Sequence, residues 1–363
     1  MEKKKKPFDF PLFLVIIILL CIGITMVFSA SMYEDFFYYH DKFYHFKKQL
    51  VWSAIGMFVL LFTANIDYKK LKNRKLVGFG MLITLICLIV VFMLPDVKDV
   101  HRWIVIGGLR FQPSELAKFM IIIYVAEYIS RKGSSISEWK KIFSVLLVSG
   151  VFAGLILKEP NMSNAVIIMA TTFCMLFVGG AKMQHLIALL ALGFCGGTYF
   201  AFSEDYRKKR VFGFLDPFKD PLDKGYQAIQ SLYALGVGNI FGVGLGKSRQ
   251  KGYYIPEAQN DFIFAILGEE LGFIGTFFVI VLFAVLVWRG MKIALNCKDR
   301  FGALLATGIT SLIAVQSSIN FLVVASFMPV TGVTLPLISY GGSSLVFTMA
   351  ELGLLLSISR YSE

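Results

Sequence analysis

The chain has 363 residues, 56 % of them hydrophobic and 17 % charged, and a formal net charge of +12. Soluble globular chains average about 45–50 % apolar residues, so a single water-soluble domain is excluded. Apolar runs of about 20 residues indicate membrane-crossing helices, not the alternating strands of a membrane barrel.

The basic residues cluster between the apolar runs, which points to membrane orientation and anionic headgroups and excludes nucleic acid as a partner. Lys3–Lys6 and the following apolar run, Pro11–Ser31, resemble a secretory signal. The run is long enough to span, and more spans follow, so it reads as an uncleaved first helix with a cytoplasmic N-terminus. Ten spans are predicted in all, near 11–31, 48–66, 76–95, 113–130, 142–158, 162–179, 183–202, 262–288, 301–325 and 341–358. The expectation is one all-α polytopic domain, 1–363, with both termini cytoplasmic. With the N-terminus inside, the inner segments hold nineteen basic residues and the short outer ones seven, in line with the positive-inside rule.

The large outer segment, 203–261, separates spans seven and eight and carries nine basic residues against that trend. An anionic ligand is one cause. Asp216–Pro221 is turn-rich, Gln227–Leu235 suits a short interfacial helix, and Gly236–Gly246 is too Gly-rich for one.

Several signals are negative. Five scattered cysteines without a CxxC suggest neither disulfide framework nor metal site. The four histidines lack ligand spacing. Gly244-Leu-Gly-Lys247-Ser248 imitates the end of a phosphate loop, but Phe241 stands where its first Gly belongs. No G-x-S-x-G elbow occurs.

The candidates for chemistry are charged residues at membrane boundaries. Asp261 precedes the apolar run Phe262–Leu267. Two compatible readings stand: an N-cap of the eighth span, and a general base at the membrane surface, with partial desolvation raising its pKa. Glu269 and Glu270 lie about 12 Å deeper by helical rise, too far to pair with Asp261, and read as structural. In Arg110-Phe-Gln-Pro-Ser-Glu-Leu-Ala-Lys118, Pro113 suits a first helical turn. Glu115 and Lys118 share a face, as an internal salt bridge or as the lining of a polar cavity. Arg102, beside interfacial Trp103, is an aromatic-belt neighbour or a phosphate contact. Gly341 and Gly342 permit close backbone approach, and Ser343 and Ser344 either cap and pack the last span or donate hydrogen bonds.

Taken in order, these motifs resemble the SEDS family (shape, elongation, division and sporulation), in its FtsW/SpoVE-like branch, with RodA more distant. The resemblance covers essentially the whole chain. Its carriers are Arg102-Trp-Ile, Phe111-Gln-Pro-Ser-Glu115, Ser231-Leu-Tyr-Ala-Leu-Gly236, Gly246-Lys-Ser-Arg-Gln250, Pro256-Glu-Ala-Gln, Asp261-Phe-Ile-Phe-Ala, Glu269-Glu-Leu-Gly-Phe-Ile-Gly275, Pro329–Pro336 and Ser339-Tyr-Gly-Gly-Ser-Ser344. It implies a peptidoglycan glycosyltransferase of the cytoplasmic membrane that polymerises lipid II and works with a class B penicillin-binding protein and other divisome or sporulation membrane proteins. The family's essential Asp matches Asp261, and its cavity Glu and Lys match Glu115 and Lys118. Two departures stand out. The turn the family usually writes Pro-Asp-Leu-Gly-Thr is Pro160-Asn-Met-Ser-Asn164, and Asn260 replaces a frequent Thr.

On this reading Asp261 takes the proton of an acceptor sugar hydroxyl as that hydroxyl attacks the donor's anomeric carbon. Positive groups stabilise the departing pyrophosphate, with Arg102, Arg207, Arg210, Lys118, Lys247 and Arg249 as candidates. A divalent metal could assist, although no protein cage for one is evident. The alternatives are a lipid II transporter, which a polar cavity at Glu115 and Lys118 also suits, and a divisome scaffold without chemistry.

Overall fold

The computed structural model describes residues 7–95, 101–106, 109–202, 208, 214, 216–219, 221, 225–252 and 254–361. In chain order the helices are α1 (Phe10–Tyr39), α2 (Tyr44–Asn65), α3 (Arg74–Val90), α4 (Pro113–Lys132), α5 (Trp139–Lys158), α6 (Met162–Val178), α7 (Met183–Ala201), α8 (Tyr226–Gly238), α9 (Ile263–Asn296), α10 (Arg300–Val324) and α11 (Gly342–Ser359). Strands β1 (Ile104–Ile106) and β2 (Leu109–Phe111) form a small antiparallel hairpin before α4, with Val105 opposite Arg110. Every one of the ten predicted spans is helical, and α8 is the short helix expected in the long segment. Among the described residues, seven helices are long and apolar enough to cross a membrane: α1, α2, α3 (continued to Met93), α5, α9, α10 and α11. The chain is a multi-pass membrane protein.

Local chemistry sets the helix ends. Asp9 caps α1, accepting from the Leu12 N–H at 2.9 Å, and Pro11 occupies its first turn. The same carboxylate accepts from Arg289 Nε at 3.2 Å, and the Asp9 N–H donates to Ser359 Oγ at 3.0 Å, which ties one end of α1 to α9 and α11. Asp299 caps α10 through the Gly302 N–H at 3.1 Å. The centre of the bundle is α11, 78 % buried, beside the largely buried α10. Phe58, Phe62 and Phe79 of α2 and α3 are exposed on the outside of the bundle, as suits side chains of membrane-crossing helices.

One expectation needs correction. α8 continues to Gly238, into the stretch expected to be non-helical. There Gly238 lies so close to α9 that a Cβ would stand 2.0 Å from the Gly268 carbonyl oxygen, and tertiary packing overrides the weak propensity of glycine. α9 is not a simple rod. It breaks at Gly272, whose φ is +67°.

The break is filled by the long segment. Val243 and Gly244 N–H groups donate to the Glu269 and Glu270 carbonyls at 3.0 Å each. On the other side, Phe273 and Ile274 N–H groups donate to Asn239 and Ile240 carbonyls at 2.8 and 3.2 Å. Backbone groups freed by the kink are thereby satisfied, as an apolar setting demands. A Cβ on Gly272 would sit 2.4 Å from the Gly242 nitrogen, so both its left-handed backbone and the close approach require glycine.

Candidate active site

Asp261 stands just before α9. It does not cap that helix: the N-cap is Phe262 and has no side-chain cap bond, which corrects the capping expectation. The first helical turn is fixed from its neighbours instead. Asn320 of α10 donates from Nδ2 to the Asp261 carbonyl at 2.8 Å and to the Val333 carbonyl at 2.6 Å. The Asp261 side chain turns towards the 331–334 strap. A Cβ on Gly332 (φ +70°) would lie 3.2 Å from Asp261 Oδ2, so the missing side chain of Gly332 leaves room for the carboxylate. Asp261 is half-buried.

One helical turn along α10, Gln316 holds the other end of the strap. Its Nε2 donates to the Thr334 carbonyl at 3.0 Å, and its Oε1 accepts from Lys118 Nζ at 3.0 Å. Lys118 in turn pairs with Glu115 at 2.9 Å, both buried. This is the internal salt bridge foreseen from the spacing of α4. Glu351 of α11, also buried, lies within electrostatic range of both. A cleft lined by Gln316, Thr334, Ser339, Ser344 and Thr348 opens beside this group. Ser344 therefore joins the Glu115–Lys118 region, whereas Ser343 is buried and its Oγ has no hydrogen-bond partner.

The strap is anchored from α6 as well: Ser163 Oγ donates to the Thr331 carbonyl. Asn164 Nδ2 donates to Ser114 Oγ at 3.1 Å, joining α6 to the start of α4. Arg102 acts on the turn before α6. Its Nε donates to the Glu159 carbonyl at 3.0 Å and its terminal nitrogen to the Pro160 carbonyl. It clamps the departing Pro160–Asn164 segment. The Glu159 carboxyl is buried with neither oxygen hydrogen-bonded, and burial pushes it up to about 8, against the pull of Arg102.

Of the other predicted residues, Lys247 and Arg249 are exposed on the long segment. Arg207 and Arg210 lie outside the described residues. Glu269 and Glu270 have the structural role expected. Glu269 accepts from Ser248 Oγ and from the Arg249 N–H, the latter at 2.9 Å. Glu270 pairs with fully buried Lys251 at 2.8 Å and accepts from Ser29 Oγ at 2.7 Å. Breaking such a pair by removing one partner costs about 3–5 kcal/mol. Among the described residues no group of three His, Cys, Asp or Glu side chains converges on a metal position.

Asp261 and the buried Glu115–Lys118 pair are thus joined through Gln316, Asn320 and the 331–334 strap within one helical bundle. The family model described as cell cycle protein, covering FtsW, RodA and SpoVE, matches residues 10–363. The chain belongs to this family. Among its FtsW/RodA/SpoVE relatives, stage V sporulation protein E of Bacillus subtilis (strain 168) is 41 % identical, covering 100 % of both chains. A probable peptidoglycan glycosyltransferase FtsW of Geobacter sp. (strain M18) is 37 % identical over 98 % of each. A solved chain from work on structural coordination of polymerization and crosslinking by a peptidoglycan synthase complex superposes with a TM-score of 0.80. It is 27 % identical and covers 98 % of this chain and 99 % of that one. The rod shape determining protein RodA of Thermus thermophilus gives a TM-score of 0.71 at 25 % identity, over 98 % of each chain.

For this FtsW/RodA/SpoVE member, sequence reasoning missed Gln316, Asn320 and Glu351. The signal was present: Gln316 and Asn320 stand one turn apart in an apolar span, and Glu351 is an acid in another.

Proposed function

We propose that the chain is a peptidoglycan glycosyltransferase that polymerises lipid II at the outer face of the cytoplasmic membrane, with Asp261 as general base. The observation that carries the reading is the placement of Asp261. Its carboxylate is not used in capping, faces the gap at Gly332, and shares the 331–334 strap with Gln316 and the Glu115–Lys118 pair. Asp261 accepts the proton of the acceptor hydroxyl while that oxygen forms the new bond to the donor's anomeric carbon. The bond from that carbon to the lipid pyrophosphate breaks, which inverts the centre. Lys118, and the basic residues Lys247 and Arg249 of the long segment, supply positive charge near the leaving group. Arg102 supports the site through the turn it clamps. Ten spans with both termini cytoplasmic would put the long segment and Asp261 on the outer side, a topology that the basic-residue bias of the short segments supports. A class B penicillin-binding protein that cross-links the product is the partner this role requires.

The test is polymerisation of lipid II by purified protein in detergent, where no leaflets exist. Asp261→Asn is expected to lose about 10²–10⁴-fold in rate while the protein stays folded. Wild-type protein that makes no polymer yet scrambles lipid II between vesicle leaflets would establish transport instead. Full complementation of growth or sporulation by Asp261→Ala would establish a scaffold.

A further inference from the structure

At the end of the bundle that carries Asp261, a fully buried carboxylate meets a histidine. Asp35, near the end of α1, is 0 % exposed. Its Oδ2 accepts from Ser31 Oγ at 2.9 Å and from the His45 backbone N–H at 3.0 Å. Its Oδ1 is paired with His45 Nδ1. Both carboxylate oxygens are therefore engaged, and two of the three bonds go to His45, at the start of α2. The imidazole is held at both backbone and ring.

The ring has three aromatic neighbours: Tyr39 with centroids 5.8 Å apart, Tyr44 at 5.3 Å and, nearest, Tyr340. It meets Tyr340 edge to face, with centroids 4.7 Å apart and planes at 88°. The Tyr340 N–H donates to the Gln259 carbonyl at 2.9 Å. Gln259 is itself buried, and its Nε2 donates to Glu34 Oε2 at 2.9 Å. Adjacent residues of α1 thus reach the same turn by two routes: Glu34 directly, and Asp35 through His45 and Tyr340. That turn, Pro256–Asp261, ends on the candidate base two residues after Gln259.

We infer that Asp35 and His45 are positioning residues for the transfer reaction, fixing the Tyr340 ring and through it the Gln259–Asp261 backbone. The inference rests on the reading of Asp261 as the base. A buried ion pair is weak evidence for stability, since apolar residues of similar size pack as well. What the pair supplies is orientation, from a carboxylate that holds the imidazole in one plane. Displacement of a reacting group by about 1 Å can cost about a hundredfold in rate, so a fixed ring behind the turn is worth having.

The test measures initial rates of lipid II polymerisation by the full-length protein. His45→Phe keeps an aromatic ring against Tyr340 but cannot donate to Asp35. His45→Asn loses the ring but offers Nδ2–H where Nδ1–H stood. The expected result is a fall in kcat of about tenfold to a hundredfold both for His45→Phe, which loses the bond to Asp35, and for His45→Asn, which loses the ring contact with Tyr340, with KM changed less than about twofold. A packing role alone predicts wild-type kcat in His45→Phe, and that result would overturn the inference. If His45→Phe does not accumulate, Tyr340→Leu carries the test, because it leaves the Asp35–His45 bond in place and removes the ring that transmits it. Wild-type kcat in Tyr340→Leu would overturn the inference equally. Asp261→Asn is run alongside: wild-type rates there would remove the base reading itself, whereas loss there with unaffected His45 and Tyr340 variants would remove only the positioning role.

Discussion

Single residues carry opposite electrostatic burdens in this protein. Glu159 is a buried acid whose folded form holds its proton up to about pH 8, against an ordinary value of 4.5. Below pH 4.5 the carboxyl is neutral in folded and unfolded chains alike and costs nothing. As pH rises from 4.5 to about 8 the unfolded chain ionises first, so the folded state loses stability over that window. Glu159→Gln is expected to match wild type in melting temperature at the acid end and exceed it by about 2–4 kcal/mol of stability at the basic end. Lys118 carries the reverse burden, as the cation beside Glu115 and Glu351. Lys118→Met should cost about 3–5 kcal/mol, and Glu115→Gln added to it should recover most of the loss, as read by thermal unfolding in detergent. The Glu115–Lys118 pair was legible because three-residue spacing in a helix has one geometric meaning. Asp35 and His45 were not, because nothing in a sequence says that residues on either side of the α1–α2 turn face each other.

Among elements, length and hydropathy made most helix ends readable to within a few residues, since a bilayer fixes how long an apolar helix must be, but α1 and α9 run eight residues past the predicted ends, to Tyr39 and Asn296. The insertion of residues 239–244 into the break of α9 was hidden, because backbone-to-backbone bonding leaves no side-chain signature. Gly272 is where this arrangement is most vulnerable. Gly272→Ala would force a Cβ into the 2.4 Å gap to the Gly242 nitrogen and into a left-handed backbone. It is expected to destabilise by at least about 1 kcal/mol and to speed protease cleavage among Lys247–Lys251. Gly236→Ala, with nothing within 4 Å of its added Cβ, is the matched control and should neither lower stability nor speed cleavage, since alanine favours the helix there.

The whole molecule is a helical bundle with ionic and polar groups buried inside it, the Glu115–Lys118 and Lys251–Glu270 pairs among them. Its orientation is testable with single cysteines at exposed positions, the native cysteines having been replaced. A membrane-impermeant maleimide added to intact cells should label Lys247→Cys and spare Lys70→Cys, which reacts only after lysis. The filled break in α9 also bears on how the protein is made. Residues 239–244 are synthesised before 269–274, so the segment stays undocked until its receiving helix has emerged. During that interval its amides have only water or lipid headgroups to bind, and quality-control proteases have their best access. Biogenesis of this protein is thereby paced by the arrival of one late apolar helix, and a nascent chain stalled after residues 239–244 have emerged but before α9 clears the ribosome should be at its most fragile.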